Sequence, residues 1–134
     1  MTPLLAPALI VYEKSPRWES ELKRRFGVHD ILIRPCRSAA DVLALCRQAP
    51  GSVIVADFDV GPADVLRLLE SLVRRRARVY PVVIGSAETA ELEWPARDLG
   101  AVAFLPNRLP GERLAQVCRR ILGTPRRSEG MTVS

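Results

Sequence analysis

Histidine occurs once in this chain, at His29, so neither a histidine metal site nor a catalytic dyad or triad is supported. Cysteine is almost as scarce. Cys36, Cys46 and Cys118 are odd in number and widely spaced, which suits neither a disulfide framework nor a zinc knuckle and leaves them as small buried or half-buried hydrophobes. No uninterrupted apolar run is longer than six residues, against the ~20 needed to cross a bilayer. Residues 1–11 also lack the basic start and long apolar centre of a secretory signal. The expected location is therefore the cytoplasm, with no membrane partner. Aromatic residues make up only 5% of the chain and are not interleaved with its basic residues, so stacking platforms for nucleic acid are missing. Glycine is absent from Tyr12-Glu13-Lys14-Ser15-Pro16, which excludes the phosphate-cradling turns of dinucleotide-binding and P-loop proteins.

With 134 residues, 48% hydrophobic and 26% charged, the chain has the composition of one globular domain with a two-sided core. Its net charge of +5 comes from arginine, since Lys14 and Lys23 are the only lysines. The arginines gather at Arg74, Arg75, Arg76 and Arg78, and again at Arg119, Arg120, Arg126 and Arg127. Both clusters fall at expected helix ends, where cations complement the dipole. They permit an acidic partner without naming one.

Short β-branched runs alternate with helical patterns along the whole chain. The runs are Ala8–Val11, Ile31–Ile33, Val53–Ala56, Val82–Ile84 and Val102–Leu105. Mostly unalternating, they read as parallel strands covered on both faces. Ser15 and Pro16 predict the cap and first turn of a helix with Trp18, Leu22 and Phe26 on one face and Gly27 as its stop. Ser38, three residues before Asp41, opens the second, which Pro50 and Gly51 end. Val65, Leu68, Leu69, Leu72 and Val73 form the stripe of the third, and Leu114, Val117, Cys118, Ile121 and Leu122 that of the fifth. Pro95 interrupts the fourth, predicted to be short or broken. The domain is thus expected over residues 1–122, followed by a disordered basic tail at 123–134. Five strands alternating with five helices imply right-handed crossovers and a doubly wound parallel sheet, whose ligands bind where the strands end.

After the first strand come Tyr12, Glu13 and Lys14; after the third, Asp57, Phe58 and Asp59; after the fourth, Gly85 and Ser86; after the fifth, Pro106, Asn107 and Arg108. This arrangement resembles the receiver domains of bacterial response regulators from Ala8 to about Leu122. The resemblance is carried by Ser52-Val-Ile-Val-Ala-Asp57, Gly61-Pro62, Asp64-Val-Leu-Arg-Leu-Leu, Pro81-Val-Val-Ile-Gly-Ser86-Ala and Gly100-Ala-Val-Ala-Phe104-Leu. It implies a flavodoxin-like sheet of strand order 2-1-3-4-5 and Asp57 in the phosphoacceptor position. It also implies two acids after the first strand that help hold Mg²⁺, a Ser or Thr contacting the phosphoryl group, and a Lys after the fifth strand. Glu13, Asp57 and Ser86 match that set. Tyr12 stands in place of the first acid, Asn107 in place of the Lys, and Phe104 in place of the switching aromatic, without a hydroxyl.

Two carboxylates, Glu13 and Asp57, with the backbone carbonyl of Asp59 are left for Mg²⁺, a weakened set. Arg108, one residue past the lost Lys, is offset in direction; Lys14 is the other pocket cation, placed to pair with Asp57. Two readings of Asp57 stand open: phosphoacceptor, or a carboxylate retained as a loop cap or ion-pair partner. The resemblance implies a stand-alone, degenerate receiver-like domain that is not an enzyme, requires no cofactor and signals by protein contact. Its partner would be a histidine kinase, a phosphotransfer protein or an output protein. The surface of the fourth helix, fifth strand and fifth helix, with Trp94, Arg113 and Arg119, would serve as interface or join two copies. A working phosphoacceptor module is the alternative, and an arginine-rich domain touching nucleic acid is the alternative of another class, marked by steep salt dependence.

Overall fold

The computed structural model describes residues 4–27 and 30–131, with side chains to residue 123; His29 lies outside the described residues. The elements are β1 (Ala8–Tyr12), α1 (Trp18–Arg25), β2 (Leu32–Cys36), α2 (Ala39–Gln48), β3 (Val53–Asp57), α3 (Pro62–Arg74), β4 (Tyr80–Gly85), α4 (Glu93–Asp98), β5 (Ala103–Pro106) and α5 (Gly111–Met131). Short 3-10 turns at Phe58–Val60 and Ala87–Leu92 precede α3 and α4. The strands lie in the order β2-β1-β3-β4-β5, all parallel, so the winding reverses between β1 and β3. This is the expected doubly wound, receiver-type sheet.

Alternation along the strands divides the core into two layers. Ile10, Ile54, Ala56 and Val83 face α2 and α3 and meet Val42, Leu68 and Leu69. Leu9, Val11, Val53, Val55 and Ile84 face α1 and α5 and meet Trp18, Leu22, Leu114 and Cys118. β1 and β3 are buried along their full length, whereas the edge strand β2 leaves Leu32, Arg34 and Pro35 exposed. An edge is where a proline can be carried without losing a ladder hydrogen bond. The three cysteines are free and buried, and burial pushes the thiols of Cys36 and Cys46 up to about 11 and that of Cys118 to about 12.

Several local expectations change in the structure. Helix α1 begins at Trp18 and its N-cap residue is Arg17, not Ser15, with no side-chain cap from that residue. Ser38 does cap α2, its hydroxyl accepting from the Asp41 N–H at 3.1 Å. Helix α4 is short, as expected, and Pro95 lies in its first turn, where a missing N–H costs nothing. Val73, the last member of the α3 stripe, is 53% exposed. The backbone of α5 continues past Leu122 to Met131. No helix among the described residues is long and apolar enough to cross a membrane.

Candidate functional site

Because β1 and β3 are neighbours, with Tyr12 paired to Ala56, the residues that follow them arrive side by side. Glu13 and Asp57 are both buried at this edge, and Asp59 joins them from the next turn. The sheet thus brings together the three acids expected there.

Glu13 is occupied by a helix. Its Oε1 accepts from the backbone N–H of Trp18 at 2.9 Å and of Arg17 at 3.2 Å, and its Oε2 from that of Glu19 at 3.0 Å. These are orphan donors of the first turn of α1, and the positive end of the helix dipole favours the carboxylate. The cap expected from Ser15 is therefore supplied by an acid from the end of β1. This local fact fixes where α1 starts and turns Trp18 toward the sheet edge.

Trp18 is fully buried and its Nε1 donates to Asp57 Oδ2 at 2.7 Å. Asp57 Oδ1 accepts from the Asp59 N–H at 2.9 Å, so both oxygens of the central carboxylate carry an internal hydrogen bond. The Arg17 guanidinium lies over the indole, 3.9 Å from the ring centroid, and closes the cluster from outside. Sequence reading placed Trp18 on the buried face of its helix but missed this contact. The available signal was chemical: a buried indole N–H needs an acceptor, and the acidic sheet edge lies at the start of this helix.

Among the described residues none of the remaining expected site residues makes a side-chain hydrogen bond or ion pair with Asp57, whose partners are Trp18 and Asp59. Lys14 is exposed and meets the cluster through its backbone N–H, which reaches Asp59 Oδ1 at 3.3 Å; among the described residues no salt bridge joins Lys14 or Arg108 to Asp57. Ser86 heads the turn before α4: its N–H donates to Thr89 Oγ1 at 2.8 Å and its hydroxyl bonds Glu88 Oε1 at 3.2 Å. Phe104 packs edge-on against Phe58, with ring centroids 5.8 Å apart. A Cβ on Gly85 would fall 2.9 Å from Phe104 Cζ, so glycine there lets the ring settle over the β4 end. Asn107 and Arg108 are exposed, and the Asn107 N–H returns to Gly85 O at 2.7 Å. Trp94 is 70% exposed and Arg113 exposed, while Arg119 stacks on Phe26 and donates to the Arg25 carbonyl at the end of α1.

Burial raises the Glu13 pKa, with repulsion from Asp57 adding to it, while the three backbone N–H bonds pull the other way. Asp59 is raised by burial and then by Asp57, against the Lys14 N–H and the charges of Lys14 and Arg17. An acid whose folded pKa exceeds its unfolded value makes the native state bind more protons between the two, so stability falls as pH rises through that window. The stabilising share from Glu13 is thus complete below its unfolded value near ~4.3 and lost as pH passes its raised folded value. Glu13→Gln is expected to remove this slope: plotted as wild type minus variant, the unfolding free energy should decline from the acidic side toward neutrality. A difference that increases with pH would refute the assignment.

Among the described residues no group of three or more His, Cys, Asp or Glu side chains is arranged to hold a metal ion. No family model matches the chain, and no curated protein matches it. Solved structures do. The Francisella response regulator 1452 receiver domain superposes with a TM-score of 0.74 at 16% identity, over 89% of this chain and 98% of that one. The receiver domain of NtrX from Brucella abortus gives 0.72 at 21% identity, over 87% and 98%. A response regulator from Thermotoga maritima gives 0.73 at 14% identity, over 89% and 99%. At these identities the likeness is one of fold.

Proposed function

We propose that this chain is a degenerate receiver-type signalling domain that acts through protein contact, in a state fixed without phosphoryl transfer and without Mg²⁺, and that it is not itself an enzyme. The reading rests on one observation, the indole N–H of Trp18 on Asp57 Oδ2 at 2.7 Å inside the fold. An acceptor aspartate must offer a free oxygen to phosphorus, and transfer depends on cations placed around the developing charge. Here one Asp57 oxygen faces a buried donor and the other caps a turn.

The metal fares no better. Mg²⁺ demands near-octahedral oxygen ligands, yet the Glu13 oxygens accept three N–H bonds and Tyr12 brings a phenol where an acid is needed. The residues present therefore do not fit the ion. Ser86 is engaged with Glu88 and Thr89, and Phe104 has no hydroxyl with which to report a change at Asp57. What the domain offers instead is surface: exposed Trp94 on α4 with exposed Arg113 and Arg119 on α5, facing a histidine kinase, a phosphotransfer or output protein, or a second copy.

The test is a titration of the full chain with beryllofluoride and Mg²⁺ at millimolar concentration, followed by amide chemical shifts. No saturable shift at Glu13, Asp57 or Ser86 is expected. A saturable response at those three positions would make the chain a working phosphoacceptor and overturn the proposal.

A further inference from the structure

Helices α2 and α3 end side by side, at the end of the molecule opposite the acidic edge. Between their last turns lies a half-open notch of about 200 Å³ with Leu43, Cys46, Leu72 and Ala77 on its floor. Its rim carries Arg47, Arg75 and Arg78, all exposed, and no acidic side chain lines it.

Arginines at helix ends ordinarily serve the terminal carbonyls. At α1 they do: Arg25 donates to Glu21 O at 3.1 Å and Arg119 to Arg25 O. At the notch they do not. The carbonyls of Ser71, Leu72 and Val73 are satisfied by the backbone N–H groups of Arg75, Ala77 and Arg76, each at 3.0 Å, and that of Leu45 by Ala49 at 2.8 Å. Among the described residues the side chains of Arg47, Arg75 and Arg78 make no hydrogen bond or ion pair, and the nearest carboxylate link is Arg74 to Glu70 at 4.0 Å. Three guanidinium groups around an apolar floor are thus left without counter-charge.

Size decides what would fill the space. Small-molecule sites occupy about 300–1,000 Å³, whereas a cavity of roughly 150 Å³ accepts one benzene ring. The notch holds a single apolar side chain. Resting on the proposed role in protein contact, the geometry points to a docking site for an acidic segment of a partner protein, in which one Phe or Leu enters the notch and flanking Asp or Glu carboxylates meet Arg47, Arg75 and Arg78. Buried anchors ringed by polar contacts are where binding energy concentrates, and guanidinium matches carboxylate with two hydrogen bonds.

The probe is the peptide acetyl-Asp-Glu-Phe-Glu-Asp-amide, titrated into the full chain with amide shifts as readout. Saturable shifts at Cys46, Leu72 and Ala77 are expected, weakened about threefold to tenfold by Arg75→Ser or Arg78→Ser. Both substitutions are at exposed positions, so the thermal midpoint should not move. Ala77→Leu, which fills the notch from its floor, should abolish the shifts. Three results would overturn the site: no saturation at millimolar peptide, equal binding of the same peptide with Ala in place of Phe, or stronger shifts of these amides by a short DNA duplex. A response to beryllofluoride would refute the phosphate-independent reading alone, since the peptide shifts report only on the notch.

Discussion

Trp18→Ala should destabilise the domain by about 4 kcal/mol or more, while Trp18→Phe should cost only about 2. Truncating a fully buried tryptophan removes its packing and leaves a cavity, a loss of about 3–5 kcal/mol, and Trp18 has no exposed surface. A further cost comes from Asp57, whose Oδ2 would lose its donor while remaining buried; an unsatisfied buried acceptor costs about 1–3 kcal/mol. Phenylalanine keeps most of the apolar volume and isolates that second cost. Against a typical total of about 5–15 kcal/mol, the alanine variant approaches the threshold of folding, so the phenylalanine variant carries the sharper test. Denaturant midpoints of Trp18→Phe, Asp57→Ala and the double variant form a cycle whose coupling should reach about 1 kcal/mol or more. A coupling near zero would mean that the indole and the carboxylate share a location without sharing a bond.

The fold was legible because parallel strands covered on both faces appear as unbroken β-branched runs, and β1 and β3 are indeed buried throughout. β2 was harder, since the strand shares only Leu32 and Ile33 with the expected Ile31–Ile33 run and continues through the exposed Arg34 and Pro35, which break the apolar pattern. Topology also made the acid cluster legible: Glu13 and Asp57 meet because each follows one of two adjacent strands at the reversal of winding. What lies between them was not legible. Helical period places Trp18 with Leu22 and Phe26 on the core face, but period says nothing about which edge of a ring reaches the end of a strand. The α1 cap escaped for a related reason. Local pattern favours Ser15, whereas a carboxylate set by β1 reaches three N–H groups at once, and tertiary placement overrides the nearer hydroxyl.

In the opposite layer, Leu69→Ala is expected to cost about 3 kcal/mol, and Val73→Ala, one turn further along the same stripe, no more than about 0.5. Sequence periodicity gives these positions equal rank. The structure separates them, because the buried stripe of α3 runs through Val65, Leu68, Leu69 and Leu72 and leaves Val73 at its margin. Leu69 has no exposed surface, whereas Val73 is half in water. Equal losses for the two variants, measured as midpoint shifts at constant denaturant slope, would show that the helix is rolled to bring Val73 under cover. A stricter measure pairs Leu69→Ala with Leu114→Ala. These residues belong to the two core layers divided by the sheet and share no neighbour within one cluster, so their costs should add within about 0.5 kcal/mol. A coupling larger than that would mean that the sheet transmits packing strain from one layer to the other. The layer of α2 and α3, with the notch at its end, and the layer of α1 and α5, with the Trp18 clasp, would then respond to each other.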